Sequence, residues 1–165
     1  MRRTLRRSMV CFLHFMNRTA RKLYMKNSNF ANPHGLINAK NYSTVEDMSK
    51  LCIKAWKLAK FRKICQTESH WGRIRLQCGL LKSLEWENTN ILLQEDGFTG
   101  LKTGWTPAAN ACLTATYKNE KKGVTLLAVV FDCETKRSRF DDCRSLILWA
   151  NQTFLEENVP EQKKV

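Results

Sequence analysis

The chain has 165 residues, 43% of them hydrophobic and 26% charged. That balance excludes a disordered chain and fits one domain with an ordinary core. Lysine and arginine number 28 against 15 acidic residues, a net charge of +13, which favours an anionic partner (nucleic acid, a membrane surface or a carboxylate-bearing substrate) without choosing among them.

The charge is concentrated at the start. Arg2, Arg3, Arg6, Arg7, Arg18, Arg21, Lys22 and Lys26 all precede the first acidic residue, Glu46. An arginine-rich, acid-free start reads either as a presequence of the mitochondrial kind or as the basic face of an ordinary helix. Phe12, Met16, Ala20 and Leu23 recur at helical spacing, so residues 9–26 are predicted to form an amphipathic helix with these four in the core. Residues 1–11 are set apart as a basic segment. The apolar run Val10–Phe15 is too short for a secretory signal, and no stretch is long enough to span a bilayer.

Residues 27–36, NSNFANPHGL, carry the Asn, Ser, Pro and Gly of a loop. His34 in that loop reads as a turn-stabilising residue rather than a base. Ser43 with Glu46 three residues on has capping-box spacing, so a helix is expected from there to about Lys60. Its apolar face would hold Met48, Leu51, Cys52, Ala55 and Leu58. Residues 61–93 read as short strands and loops with several aromatic residues. Three strands follow, at 98–104, 109–117 and 124–131, the last two joined by a charged turn at 119–123. The 124–131 strand is apolar on both faces and is expected to be central or covered. A helix over 139–155 places Phe140, Cys143, Leu146, Ile147 and Ala150 at core spacing. A charged tail covers 153–165. The order gives an α+β fold, an antiparallel sheet with helices packed on it.

Seven cysteines, at 11, 52, 65, 78, 112, 133 and 143, include no Cys-x-x-Cys pair. They are expected to be free, mostly buried thiols, with no metal and no cofactor. Trp56, Trp71, Trp86 and Trp149 are expected to pack in or beside the core, not to form a base-stacking platform.

Residues 96–106, DGFTGLKTGWT, hold the candidate chemistry. Lys102-Thr103-Gly104 falls at the end of a predicted strand and before another. A lysine supplies charge, a threonine supplies a hydroxyl, and a glycine lets a ligand approach the backbone. That combination suits a carboxylate. The triplet alone is weak evidence, and its surroundings strengthen it. FANPHGL (30–36), YSTVEDMSKL (42–51), WENTNILL (86–93), DGFTGLKTGWTPAANACLTA (96–115) and RFDDCRSLILWA (139–150) occur in order. With these blocks the chain resembles the serine-type D-alanyl-D-alanine carboxypeptidases of the low-molecular-mass penicillin-binding proteins, from about Phe12 to Gln152.

The resemblance implies a β-lactamase/transpeptidase-like domain and a substrate peptide ending in D-Ala-D-Ala, or a β-lactam in its place. It implies that Lys102 holds substrate and tunes the nucleophile's surroundings. Thr103 would bind the terminal carboxylate, Gly104 would give it room, and the backbone N–H of Trp105 would donate to the oxyanion. Arg139 would fork onto the carboxylate. The family's nucleophile is the serine of a Ser-x-x-Lys, with a Ser-x-Asn following. Neither occurs in these 165 residues. Thr19-Ala20-Arg21-Lys22 has the first spacing, but in a helix that follows both motifs in the family. The expected domain is therefore incomplete: residues 12–152 would be a partial catalytic domain lacking its N-terminal part, inactive by itself, and needing either that segment or a partner chain. Two alternatives stay open: a catalytically dead binding module on the same fold and, from charge alone, a nucleic-acid binder without any recognisable binding module.

Overall fold

A computed structural model describes residues 2–156. Helix α1 (Arg2–Lys22) begins well before residue 9, because nothing in its first turns is a helix breaker. Its register differs in consequence from the expected one. Ala20 is buried and Met16 and Leu23 are half-buried, but Phe12 is 54% exposed. The N-terminal half of α1 meets too little of the described protein to cover an apolar face. Its C-terminal half is anchored by Asn17. That side chain donates to the Phe30 carbonyl at 2.8 Å and accepts from the Phe30 N–H at 2.9 Å.

Helix α2 (Val45–Trp56) is capped by Thr44, not Ser43. Thr44 is extended and its hydroxyl accepts from the Asp47 N–H at 3.1 Å, while the Ser43 hydroxyl pairs with Ser28 at 2.8 Å. The apolar face holds Cys52 buried, with Met48, Leu51 and Ala55 half-buried. Leu58 is extended and exposed, so the helix breaks there and α3 (Ala59–Cys65) follows as a separate turn.

The 61–93 stretch, expected as short strands and loops, holds a hairpin of β1 (Ser69–Arg75) and β2 (Leu81–Glu87), a two-stranded sheet by itself. Trp71 and Trp86 lie on it and are exposed, as is Trp149 on the last helix. Only Trp56 is half-buried. A two-stranded ribbon has no second layer to bury its rings. Trp86 is nonetheless fixed, stacked on His70 and lying over Gly72, where a Cβ would meet the indole at 2.7 Å.

Strands β3 (Phe98–Thr106), β4 (Asn110–Asn119) and β5 (Val124–Cys133) form an antiparallel sheet in that order. β5 is an edge among the described strands, not a central one. It is covered as expected, by α4 (Ser138–Asn151) and by α2 on the other side. Alternation along β4 sorts its side chains onto two faces. Ala111, Leu113 and Ala115 join Phe140, Cys143 and Ile147 of α4 in the core, with Leu92 from a short turn at Ile91–Gln94. Leu113 is wholly buried, which contributes about 2 kcal/mol. Leu146, expected in that core, is exposed, and Ala150 is half-buried. The opposite face, with Thr114 and Thr116, meets Cys52 of α2 and the Cys65 end of α3. Ahead of α4, Thr135 and Ser138 exchange hydroxyl and N–H bonds at 2.9 and 3.0 Å, a reciprocal cap.

The 27–36 loop is held by Asp47, which is buried. Its carboxylate accepts from the Asn27 N–H at 2.7 Å, the Ser28 hydroxyl at 2.9 Å and the Lys50 ammonium at 3.1 Å. Burial pushes this carboxyl up, but the Lys50, Ser28 and Asn27 bonds outweigh it and hold it below its ordinary 3.8. A depressed carboxylate stabilises the fold fully above its unfolded value, and the contribution is lost as pH falls through the lower folded value. Asp47→Asn should therefore melt several degrees earlier at neutral pH. The gap to the wild type should close below about pH 3.8 in a pH series of thermal melts.

Candidate active site

Two glycines shape the approach to β3. Gly97 has φ +86 and a Cβ there would sit 2.3 Å from the Tyr117 ring. Gly100 has φ +142, with the Cys65 Cβ 3.2 Å from its missing side chain. Both are demanded by the fold. Gly104 is different: its φ is not positive, and the nearest atom to a built Cβ is that of Cys112 at 3.8 Å. Nothing among the described residues requires glycine there, so the vacated space faces whatever lies along the strand.

Strand β3 has a hydrogen-bonded neighbour on one side only among the described strands. Alternate residues of 98–106 therefore turn their N–H and C=O groups away from β4. Lys102 is exposed and lies on the face covered by α2 and α3, its ammonium donating to the Thr103 carbonyl. Thr103 turns the other way. It is buried, and its hydroxyl pairs with Thr89 at 2.6 Å. Trp105 is exposed, with the Lys136 ammonium 4.6 Å from its ring centroid.

Arg139, in the first turn of α4, is only 8% exposed. It donates from Nη1 to the Gly104 carbonyl at 3.0 Å, its Cζ lies 4.7 Å from the Phe140 ring centroid, and its Nε is buried without a partner. No described carboxylate stands within ion-pair distance of it. Nearby, Arg144 takes the carboxylate of Glu95 in a fork, at 2.9 and 2.5 Å, and holds the Glu95 carboxyl below its usual range. The two arginines of α4 thus differ: one is matched by an acid and the other is not.

The structure brings Thr103, Gly104 and Arg139 together and leaves Lys102 on the opposite face of the same strand. Thr89 and Asn90 were not singled out in the sequence. Thr89 meets Thr103, and Asn90 is buried, its Oδ1 accepting the Leu92 N–H at 3.3 Å and its Nδ2 without a described partner. Their block, WENTNILL, was the available signal. His34 does what a turn residue does, accepting the Leu36 N–H on Nδ1 at 3.2 Å.

The thiols are free, with Cys52, Cys133 and Cys143 buried and Cys11 and Cys78 exposed. Burial, with Asp142 beside it, pushes Cys133 to about 11, and burial pushes Cys143 to about 12. Cys65 lies near Lys102, yet burial outweighs the ammonium and raises it as well. None of these three is a ready thiolate at neutral pH.

An antiparallel sheet edged by Lys-Thr-Gly, with helices on both faces, is the arrangement of DD-peptidases. The chain belongs to the D-alanyl-D-alanine carboxypeptidase family, which it matches over residues 7–135. It is 29% identical over 138 residues to the D-alanyl-D-alanine carboxypeptidase of Streptomyces sp. strain K15, covering 82% of this chain and 47% of that protein. It is 34% identical over 129 residues to DacF of Bacillus subtilis, covering 78% and 32%. Its fold matches the crystal structure of the Streptomyces K15 DD-transpeptidase with a TM-score of 0.78 at 29% identity, over 84% of this chain and 53% of that one. Penicillin-binding protein D2 of Listeria monocytogenes, in a cefotaxime-bound form, matches with a TM-score of 0.68 at 28% identity, over 83% and 53%. The chain thus spans about a third to a half of these relatives' own length. The fold is the transpeptidase-like α+β fold, and no described helix is long and apolar enough to cross a membrane.

The two kinds of glycine are separable by experiment. Gly104→Ala should leave the melting temperature nearly unchanged. Gly97→Ala should cost about 2 kcal/mol or more, from a left-handed φ and a ring clash, read in denaturant titrations.

Proposed function

We propose that residues 12–152 form the substrate-holding part of a serine-type D-Ala-D-Ala carboxypeptidase domain, and that the serine nucleophile comes from outside these 165 residues, on a further segment or a partner chain. The observation that carries this reading is Arg139: a buried guanidinium bonded to the Gly104 carbonyl, with a spare buried donor and no carboxylate beside it among the described residues. Such a group is costly unless a partner arrives, and a peptide's terminal carboxylate is a fitting one.

In this reading Arg139 and Thr103 take the terminal carboxylate, with Thr103 exchanging its bond to Thr89 for one to the ligand. The Trp105 N–H, on the edge strand, donates to the oxyanion that forms when the serine attacks the penultimate carbonyl. Such a donor acts on charge that appears only in the transition state and is worth about 3 kcal/mol. Lys102 holds positive potential on the face where the nucleophile would stand. The serine oxygen bonds to the carbonyl carbon, D-alanine leaves with a proton on its nitrogen, and water then hydrolyses the acyl-enzyme.

The pure chain should bind N-acetyl-Ala-D-Ala-D-Ala reversibly, with NMR shifts at residues 103–105 and 139, and should release no D-alanine. Amidating the peptide's C-terminus should abolish binding, and Lys102→Gln and Gly104→Ala should each weaken it about ten-fold. Equal binding of the amidated peptide would overturn the carboxylate assignment. Release of D-alanine would overturn the external nucleophile.

A further inference from the structure

A cavity of about 610 Å³ lies between helix α3 and the base of the β1–β2 hairpin. Lys60 and Lys63 line it from the helix, and His70, Trp86 and Glu87 line it from the two strands. None of its lining residues belongs to β3 or α4, so it is separate from the surroundings of Arg139. Asn88 fixes the two walls against each other. Its side-chain amide donates to the Cys65 carbonyl at 3.2 Å and to the Thr67 carbonyl at 3.0 Å. Its backbone N–H donates to the Glu68 carbonyl at 2.7 Å.

The hairpin gives up strand stability to seat one ring. Gly72 lies in the middle of β1, where a glycine weakens a strand, and no positive φ calls for it. Trp86 does: a Cβ at Gly72 would stand 2.7 Å from the indole. The indole also stacks on His70, with ring centroids 6.1 Å apart and planes 22° apart. A tryptophan held this firmly is still 47% exposed. A fixed, open aromatic surface takes a flat ring with little ordering cost.

The polar residues of the cavity supply the rest of a ligand's outline. Lys60 and Lys63 stand one turn apart on one face of α3, and neither forms an ion pair with a described carboxylate. Two such ammonium groups suit an anion that carries more than one charge. Glu87 is likewise without a described ion pair. A carboxylate near a stacking ring suits the adjacent hydroxyls of a ribose, for which it is a ready acceptor.

We propose that this cavity binds a ribonucleoside phosphate. The phosphate lies on Lys60 and Lys63, the base stacks on Trp86, and Glu87 accepts the ribose hydroxyls. The cavity has the volume for such a ligand. A simple phosphate would leave the ring unused, and an uncharged aromatic would leave the lysines unused.

The test is calorimetric titration of the full chain with adenosine monophosphate (AMP), adenosine, ribose 5-phosphate and 2′-deoxy-AMP. AMP should bind most tightly. Adenosine, which lacks the phosphate, should bind about ten-fold more weakly, and ribose 5-phosphate, which lacks the base, about ten-fold more weakly. Loss of the 2′-hydroxyl should weaken binding about five-fold. Lys60→Gln together with Lys63→Gln should bring AMP down to the affinity of adenosine and leave adenosine unchanged. Trp86→Leu should bring AMP down to the affinity of ribose 5-phosphate, and Glu87→Ala should remove the preference for AMP over 2′-deoxy-AMP. Lys60, Lys63 and Glu87 are exposed, so their variants read the site even if Trp86→Leu loosens the hairpin. Equal binding of AMP and adenosine by the wild type would overturn the site. So would AMP binding that survives both lysine changes, which would belong to the general charge of the chain. Equal binding of AMP and ribose 5-phosphate would overturn the role of Trp86 and the nucleoside with it. No binding of AMP at about 10 mM would overturn the proposal outright.

Discussion

The site turns on a buried arginine that no described carboxylate neutralises. Taking a guanidinium out of water costs several kcal/mol, which a folded chain normally recovers by supplying a carboxylate and filling the remaining donors. Arg144 follows that rule with Glu95 and Asp141. Arg139, five residues earlier on the same helix, does not. Among the described residues it has one carbonyl, an aromatic ring beneath it and a buried N–H without a partner. The scaffold must hold it there against that cost. Phe140, Cys143 and Ile147 pin α4 to the sheet, and the Thr135–Ser138 cap fixes where the helix begins. The unmatched charge is thus a property of the whole α4–β4 interface.

The same division between what the fold needs and what it leaves free runs along β3. Gly97 and Gly100 sit in conformations that other residues rarely adopt, against Tyr117 and Cys65. They set the path of the strand into the sheet. Gly104 is under no such demand, and it is the carbonyl of Gly104 that Arg139 grips. An unnecessary glycine beside an unmatched cation, on a strand with a free edge, describes space and charge reserved together. Neither observation alone would distinguish a ligand site from a loosely packed surface.

Much of this was legible in the sequence where period decides the structure. β3, β4, β5 and α4 follow from alternation and helical spacing, and their predicted bounds differ from the observed ones by a few residues. The short strands expected within 61–93 are present as the β1–β2 hairpin, but their bounds are not legible in the sequence, because the strands lack clean alternation and the turn rests on one glycine, Gly79, among apolar neighbours. Phe12, Trp71, Trp86 and Trp149 were expected to pack and are exposed. Spacing tells which residues share a face, but not whether another element covers it. The Lys-Thr-Gly and Arg139 were visible through their flanking blocks. Thr89 was not given a role, since its bond to Thr103 joins residues fourteen positions apart and has no local signature. The cap at Thr44 was missed by one residue because Ser28, a tertiary partner, engages Ser43.

Charge then acquires a meaning that composition alone could not supply. A surplus of +13 suggested anionic partners in general. In the fold, most of that charge is spread over α1, α3 and the hairpin, while the edge of β3 meets Arg139 and Lys102 from two sides. In the proposed reading, a carboxylate drawn to the molecule by its overall field would be discriminated at that edge, where one cation is exposed and one is dry.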